Sequence, residues 1–272
     1  MNKFAELHDV SCIYHELSGE TLAVSNINFF VAEGEFVSIV GPSGCGKSSV
    51  LSMLAGLTPP SSGYIKIGNW CSAGDHIHDQ SDISAHKNSK NSMPLTGYML
   101  QHDNLLEWRT VEGNIMLGLE VKGLCTKKRR EYALSLLEKN GLLAFKDYYP
   151  RQLSGGMRQK VALIRTLAFS PGLLLLDEPF SALDYQTRLM LADDLAQIIR
   201  QEGRTAILVT HDISEAISMS DRVIVFSKRP ATVKREFTIE LGDDLPLIKR
   251  NHPLFKDYFN AVWKELDYNE QT

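Results

Sequence analysis

The 272-residue chain carries 29 Lys plus Arg against 33 Asp plus Glu, a formal net charge of −4, which gives no global electrostatic reason to bind nucleic acid. Its 43% hydrophobic and 23% charged residues are those of a folded soluble protein with a substantial core, and no apolar run approaches the about 20 residues that span a bilayer. The N-terminus "MNKFAELHDV" lacks the apolar stretch of a secretory leader, and Cys12, Cys45, Cys71 and Cys125 lack CxxC spacing; a reducing, cytoplasmic setting is expected.

Residues 5–33 alternate apolar and polar around a "HELSGE" turn, which predicts two antiparallel strands. "EFVSIV" (35–40) predicts a buried strand running into a glycine cluster, after which Val50, Leu51, Leu54, Ala55 and Leu57 recur at helical spacing. "PPSSG" (59–63) stops that helix and "YIKIG" resumes a strand. The polar, aperiodic stretch 69–95 is expected to be a long exposed loop. Its His76, His78 and His86, with Asp75, Asp79 and Cys71, make a poor metal set because no regular element would fix them.

Residues 103–149 predict helices, the clearest being "TKKRREYALSLLEKNG" with Thr126 as cap and Gly141 as stop. The basic run 127–130 is expected to be a solvated helix start rather than a lipid contact. Another helix starts at Ser154, and "GLLLLDE" is a buried strand ending in acid. Residues 185–202 predict a helix, "TAILVTH" a strand, "ISEAISM" a short helix and "DRVIVFS" a strand. Strands alternating with helices predict an α/β fold whose parallel sheet is covered on both faces. A last helix after Pro253, with Leu254, Phe255, Tyr258, Ala261 and Val262 on one side, is expected to dock. The natural division is a sheet core (1 to about 98 and 155–230), a helical insertion (about 99–154) and a C-terminal appendage.

Three constellations carry chemistry. Gly41, Pro42, Ser43, Gly44, Cys45, Gly46, Lys47 and Ser48 fit G-x-x-x-x-G-K-[ST] between a strand and a helix. Such a loop converges backbone N–H groups on phosphate oxygens, Lys47 reaches the β and γ phosphates, and the Ser48 hydroxyl ligates Mg²⁺. "LLLLDEP" (173–179) delivers Asp177 to the sheet's carboxyl edge to hold Mg²⁺, with Glu178 beside it to polarise an attacking water. "LSGGMRQK" (153–160) offers a second anion-binding helix start at Ser154, Gly155 and Gly156. One nucleotide has no use for two such ends in one chain, so two chains arranged head to tail are expected.

Together these motifs resemble the ATP-binding subunit of ABC transporters over residues 5 to about 232: "GPSGCGKS" matches its Walker A loop, "LSGGMRQ" its signature and "LLLLDEP" its Walker B strand. The resemblance implies a P-loop NTPase core with an N-terminal antiparallel β subdomain and an inserted helical subdomain (1–232), followed by a helical appendage (233–272). It implies ATP and Mg²⁺ as cofactors. It also implies Gln101 as a sensor of metal and γ phosphate, Asp184 of "SALD" as a group crossing the dimer interface, and His211 of "LVTHD" as the γ-phosphate contact. Tyr14 looks like the family's adenine-stacking aromatic. Ser49 stands where threonine is usual and keeps a hydroxyl at the nucleotide, and the 69–95 loop is longer than is common.

"LLEWRTVEGNI", the 151–184 run and "FSKRP" resemble the nitrate, sulfonate, taurine and bicarbonate importers, a style shared by thiamine-precursor and riboflavin-type importers. Implied partners are a second ATP-binding chain, two membrane permease subunits at the cytoplasmic side of the plasma membrane, and indirectly a solute-binding protein. Trp108 and Leu105–Leu106 are candidates for the permease groove. ABC proteins of chromosomes carry coiled-coil insertions, those of translation carry two cassettes, and an inert scaffold would lack the acid at 178; none of these fits. A two-component exporter stays open.

Overall fold

Strands β1 (Lys3–Glu16) and β2 (Gly19–Ala32) pair antiparallel over their length, as the alternation around 17–18 predicts. The computed structural model describes residues 2–16, 19–74, 96–181 and 183–266. β1 also pairs with β4 (Ser62–Ile67), and β4 with β5 (Trp70–Ala73), giving a four-stranded antiparallel sheet of order β2-β1-β4-β5. The expected loop therefore starts later than the sequence suggested: 70–73 form an edge strand of half-buried residues, including Cys71, and the expected histidine-rich part, 75–95, lies outside the described residues. Gly63 sits at φ +74°, where a Cβ would lie 2.3 Å from the His8 carbonyl oxygen, so only glycine lets β4 approach the bulge of β1.

The second sheet has the order β10-β9-β3-β8-β7-β6, in which β10 spans Val233–Thr238 and β3 (Phe36–Val40), β6 (Thr96–Met99), β7 (Leu173–Asp177), β8 (Thr205–Val209) and β9 (Arg222–Phe226) run parallel. Every residue of β3, β7 and β8 is buried, as strands covered on both faces require. The run "LLLL" shows the period of two directly. Leu174 and Leu176 enter the core shared with the helices, whereas Leu173 and Leu175 enter the core facing the antiparallel sheet.

Helix α1 (Lys47–Leu54) follows β3. The expected helical region resolves into α2 (Val111–Val121) and α3 (Lys127–Lys139), with short 3₁₀ turns between α3 and α4 (Gly155–Leu167). Thr126 caps α3 by accepting from the Arg129 N–H at 3.3 Å, and Gly141 follows it at φ +69°. The buried Asn114 amide holds the turn 106–110, accepting from the Leu106 N–H at 2.7 Å and donating to the carbonyls of Leu106, Arg109 and Thr110. α5 (Tyr185–Gln201) and α6 (Ile213–Met219) follow β7 and β8.

The chain beyond 232 begins with a strand rather than the expected helix. β10 (Val233–Thr238) pairs antiparallel with β9 and closes that edge of the sheet. Its Lys234, Arg235 and Glu236 are all exposed, and only Val233 and Phe237 are apolar, so the apolar signal is thin. α7 (Pro246–Lys249) and α8 (Phe255–Leu266) come next, and α8 buries Val262, with Phe255 and Tyr258, against Ile213, Ile217 and Val225.

Candidate functional site

Four parallel strands end at one edge, and each delivers a candidate residue there. Beyond β3 lies the loop 41–46, beyond β6 lies Gln101, β7 ends on Asp177, and beyond β8 stands His211.

The loop has to be glycine where it is tightest. Gly46 sits at φ +124°, and a Cβ there would meet Val24 Cγ1 at 2.6 Å and the Ala23 carbonyl oxygen at 2.8 Å. The antiparallel sheet thus braces the turn from behind. Lys47 is only 5% exposed; its Nζ donates to the carbonyls of Gly41 at 2.8 Å and Pro42 at 2.9 Å. Among the described residues it makes no ion pair with a carboxylate. A buried ammonium compensated by neutral carbonyls favours an anion above it, so a phosphate group fits the cradle. Burial pushes the Cys45 thiol up, which keeps it in its protonated, inert form.

Ser48 Oγ donates to Asp177 Oδ1 at 3.1 Å, and the Tyr98 hydroxyl reaches Asp177 Oδ2 at 3.3 Å. Burial holds the Asp177 carboxyl above its ordinary range, and these two hydrogen bonds pull it partly back. Burial, with the Asp177 charge beside it, pushes the Tyr98 phenol up to about 12. A hydroxyl and a carboxylate side by side form the all-oxygen donor set of a hard divalent cation, so Mg²⁺ fits here.

Glu178 Oε2 accepts from Gln101 Nε2 at 3.3 Å and lies 3.3 Å from His211 Nδ1, so the structure brings these three predicted residues together. The His211 side chain is 60% exposed. Glu178 itself has a left-handed backbone, φ +46°, held by its N–H to the Val209 carbonyl at 2.8 Å and by Ser181 Oγ on its own carbonyl at 3.0 Å. The buried Gln159 of α4 donates to the Pro179 carbonyl, tying the signature helix to this loop. Tyr14, half-buried on β1, donates its hydroxyl to Ser49 Oγ at 3.1 Å and so stands beside the start of α1.

The remaining predicted residues lie elsewhere. Ser154 caps α4 by accepting from the Met157 N–H at 3.3 Å; Asp184 caps α5 by accepting from the Thr187 N–H at 3.0 Å, a bond that holds its carboxyl below the ordinary value. Ser154, Gly155, Gly156 and Asp184 line one cleft of about 610 Å³ with Lys160 and Thr187; none of Lys47, Ser48, Asp177 or Glu178 lines it. Trp108 is 74% exposed, whereas Leu105 is buried in the helical core and so is not available to a groove.

Tyr98 and Gln159 act in this arrangement without having been found in the sequence. Each belongs to a regular element whose pattern accounts for it as packing, and only the fold shows what its polar end meets.

The description "ABC transporter" matches residues 24–181. The uncharacterized ABC transporter ATP-binding protein YtlC of Bacillus subtilis (strain 168) is 43% identical over 271 residues, covering 98% of this chain and 97% of that one. The nitrate import ATP-binding protein NrtD of Synechocystis sp. is 38% identical over 239 residues, covering 88% and 84%. Among solved structures, a dimeric post-hydrolysis state of the ATP-binding cassette MJ0796 bound to ADP and Pi aligns with TM-score 0.69 at 32% identity, covering 87% of this chain and 99% of that one. On the cradle, the converging acids and these matches, the chain belongs to the ABC transporter family as one of its ATP-binding subunits, an ATPase coupled to transport.

Proposed function

We propose that the protein is the nucleotide-binding subunit of an importer for a small anion such as nitrate, an aliphatic sulfonate, taurine or bicarbonate. Two copies, or one copy and a second ATP-binding subunit, close head to tail around two ATP molecules. The observation that carries this is the separation of the anion-binding helix starts. Lys47 and Ser48 stand with the acids, whereas Ser154, Gly155, Gly156 and Asp184 line their own cleft. Each chain thus offers half of a site to another chain.

In this reading Gly41–Ser49 and Tyr14 hold the nucleotide, Tyr14 against adenine, and Lys47 faces the β and γ phosphates. Ser48, Gln101 and Asp177 would hold Mg²⁺, which when bound offsets phosphate charge. Glu178 orients the attacking water and takes up its proton. Gln101 and His211, both in contact with Glu178, aim that carboxylate and meet the γ phosphate. Ser154, Gly155 and Gly156 of the second chain cover the phosphates from the other side, and Asp184 crosses the interface. The protein's share of the chemistry is positioning and charge stabilisation.

The subunit is peripheral at the cytoplasmic side of the plasma membrane, held by two permease subunits; no helix among the described residues is long and apolar enough to cross a membrane. Trp108, exposed on the turn before α2, is the side chain offered to a permease; it does not line the cleft of about 370 Å³ formed by Tyr98, Leu117, Val121, Arg165 and Phe169. The name of NrtD, an import protein for nitrate, supports the anion reading. Reconstitution with its permease and solute-binding protein tests it. ATPase stimulation by nitrate or a sulfonate is expected. Stimulation by a thiamine precursor or a flavin alone would assign the other importer branch, and substrate efflux would assign an exporter.

A further inference from the structure

Arg188, one turn into α5, makes three contacts to two segments. Its Nη2 donates to the Leu183 carbonyl at 3.3 Å, its Nη1 lies 3.6 Å from Asp212 Oδ2, and its Nε lies 3.6 Å from Glu215 Oε1. Leu183 directly precedes Asp184. Asp212 directly follows His211 and caps α6 through the Ser214 and Glu215 N–H groups at 2.7 and 3.1 Å. Thr210, on the other side of His211, donates to Glu215 Oε2 at 2.7 Å and accepts from the Asp212 N–H at 3.0 Å. Both neighbours of His211 are therefore bonded into the group that Arg188 touches, and Arg188 links that group to the Leu183–Asp184 segment through the Leu183 carbonyl, while the Arg250 charge also acts on Glu215.

A stability role explains this poorly. A partly buried ion pair is weak support for a fold, and an apolar side chain of similar volume would fasten α5 to α6 as well. Both charge contacts exceed the ordinary hydrogen-bond range of about 2.7–3.2 Å, and among the described residues Nε has no hydrogen-bond partner, as is true of one nitrogen each of Arg129, Arg222 and Arg250. The planar guanidinium can address one carbonyl and two carboxylates together, and a small shift of α5 closes the gap to Glu215.

We propose that Arg188 is a positioning residue that transmits a second chain's engagement of the Leu183–Asp184 segment to His211. When the interface presses on Asp184, Arg188 is drawn onto Asp212 and Glu215, and the His211 segment is fixed. The proposal rests on the head-to-tail reading given above.

The experiment is hydrogen–deuterium exchange on E178Q protein with ATP and Mg²⁺, alone and combined with R188M, beside steady-state kinetics of R188M. With Arg188 present, dimer formation is expected to slow exchange both at 183–188 and at 210–216. With R188M the dimer still forms and 183–188 is still protected, but 210–216 keeps its monomer rate. In the wild-type background kcat falls about tenfold, with KM for ATP within about twofold. Protection of 210–216 in the R188M dimer, or an unchanged kcat, overturns the proposal. If R188M proves unstable to heating without nucleotide, R188K replaces it, because a lysine cannot span the three contacts and the same decoupling is expected; wild-type behaviour of R188K overturns the proposal equally. No ATP-dependent dimer with Arg188 intact refutes the head-to-tail reading, and the proposal falls with it.

Discussion

Lys47 is the residue on which the cradle turns, since its buried ammonium donates to two carbonyls of its own loop. K47A is expected to lower ATP turnover by about a hundredfold or more, measured as phosphate release; near-normal turnover would remove the cradle assignment. Glu178 is held by both Gln101 and His211. E178Q is expected to keep ATP and to run as a dimer on gel filtration with ATP and Mg²⁺, and a monomer peak alone would count against its role. Asp177 makes the opposite case at the same scale. Its folded-state pKa is raised, chiefly by burial. Its protonated form therefore favours the fold at low pH, and that contribution is lost as the pH rises through the folded-state value. D177N is expected to melt a few degrees higher than the parent at pH 7 without nucleotide, with the difference gone below the ordinary carboxyl value, while ATP turnover is lost. Lys47, Ser48, Asp177 and Glu178 were legible because their motifs specify a backbone shape as well as a side chain. Tyr98 was not, because a strand tyrosine announces packing and its hydroxyl contact exists only once β6 lies beside β7.

Elements were legible in proportion to how much they bury. The fully buried β3, β7 and β8, and the capped α3 and α4, appear where the sequence puts them. β5 and β10 were missed because each is an edge strand, short or charged on its open side, and so writes little apolar pattern. The irregular turn 106–110 shows how a segment without pattern is nevertheless fixed, through Asn114 from within α2. N114A leaves those backbone groups without a partner at a buried site. It is expected to lower unfolding free energy by about 2 kcal/mol, read from urea denaturation at unchanged m-value. A loss under about 0.5 kcal/mol would show that the turn holds itself.

At the scale of the whole molecule, Ser154, Gly155, Gly156 and Asp184 line a cleft that does not include Lys47, Ser48, Asp177 or Glu178, and the proposed head-to-tail assembly follows from that separation. Mixed dimers of K47A and S154A chains are expected to regain turnover at one site in two, because one composite site then contains neither substitution; each variant alone stays inactive. No recovery on mixing would mean that the two motifs do not meet across an interface. What the sequence left out at this scale is the C-terminal chain's place. β10 extends the catalytic sheet and α8 lies on α6, which starts two residues after His211. That packing depends on contacts between residues about forty apart, which no local pattern records.

The left-handed backbone at Glu178 has a consequence of its own. Few side chains rest there without cost, and glycine rests there at none. E178G should therefore yield a protein sturdier than E178A by roughly 1 kcal/mol, yet as silent towards ATP. Durability at this position has been given up in exchange for chemistry, and a simple comparison of two melting curves would reveal how much.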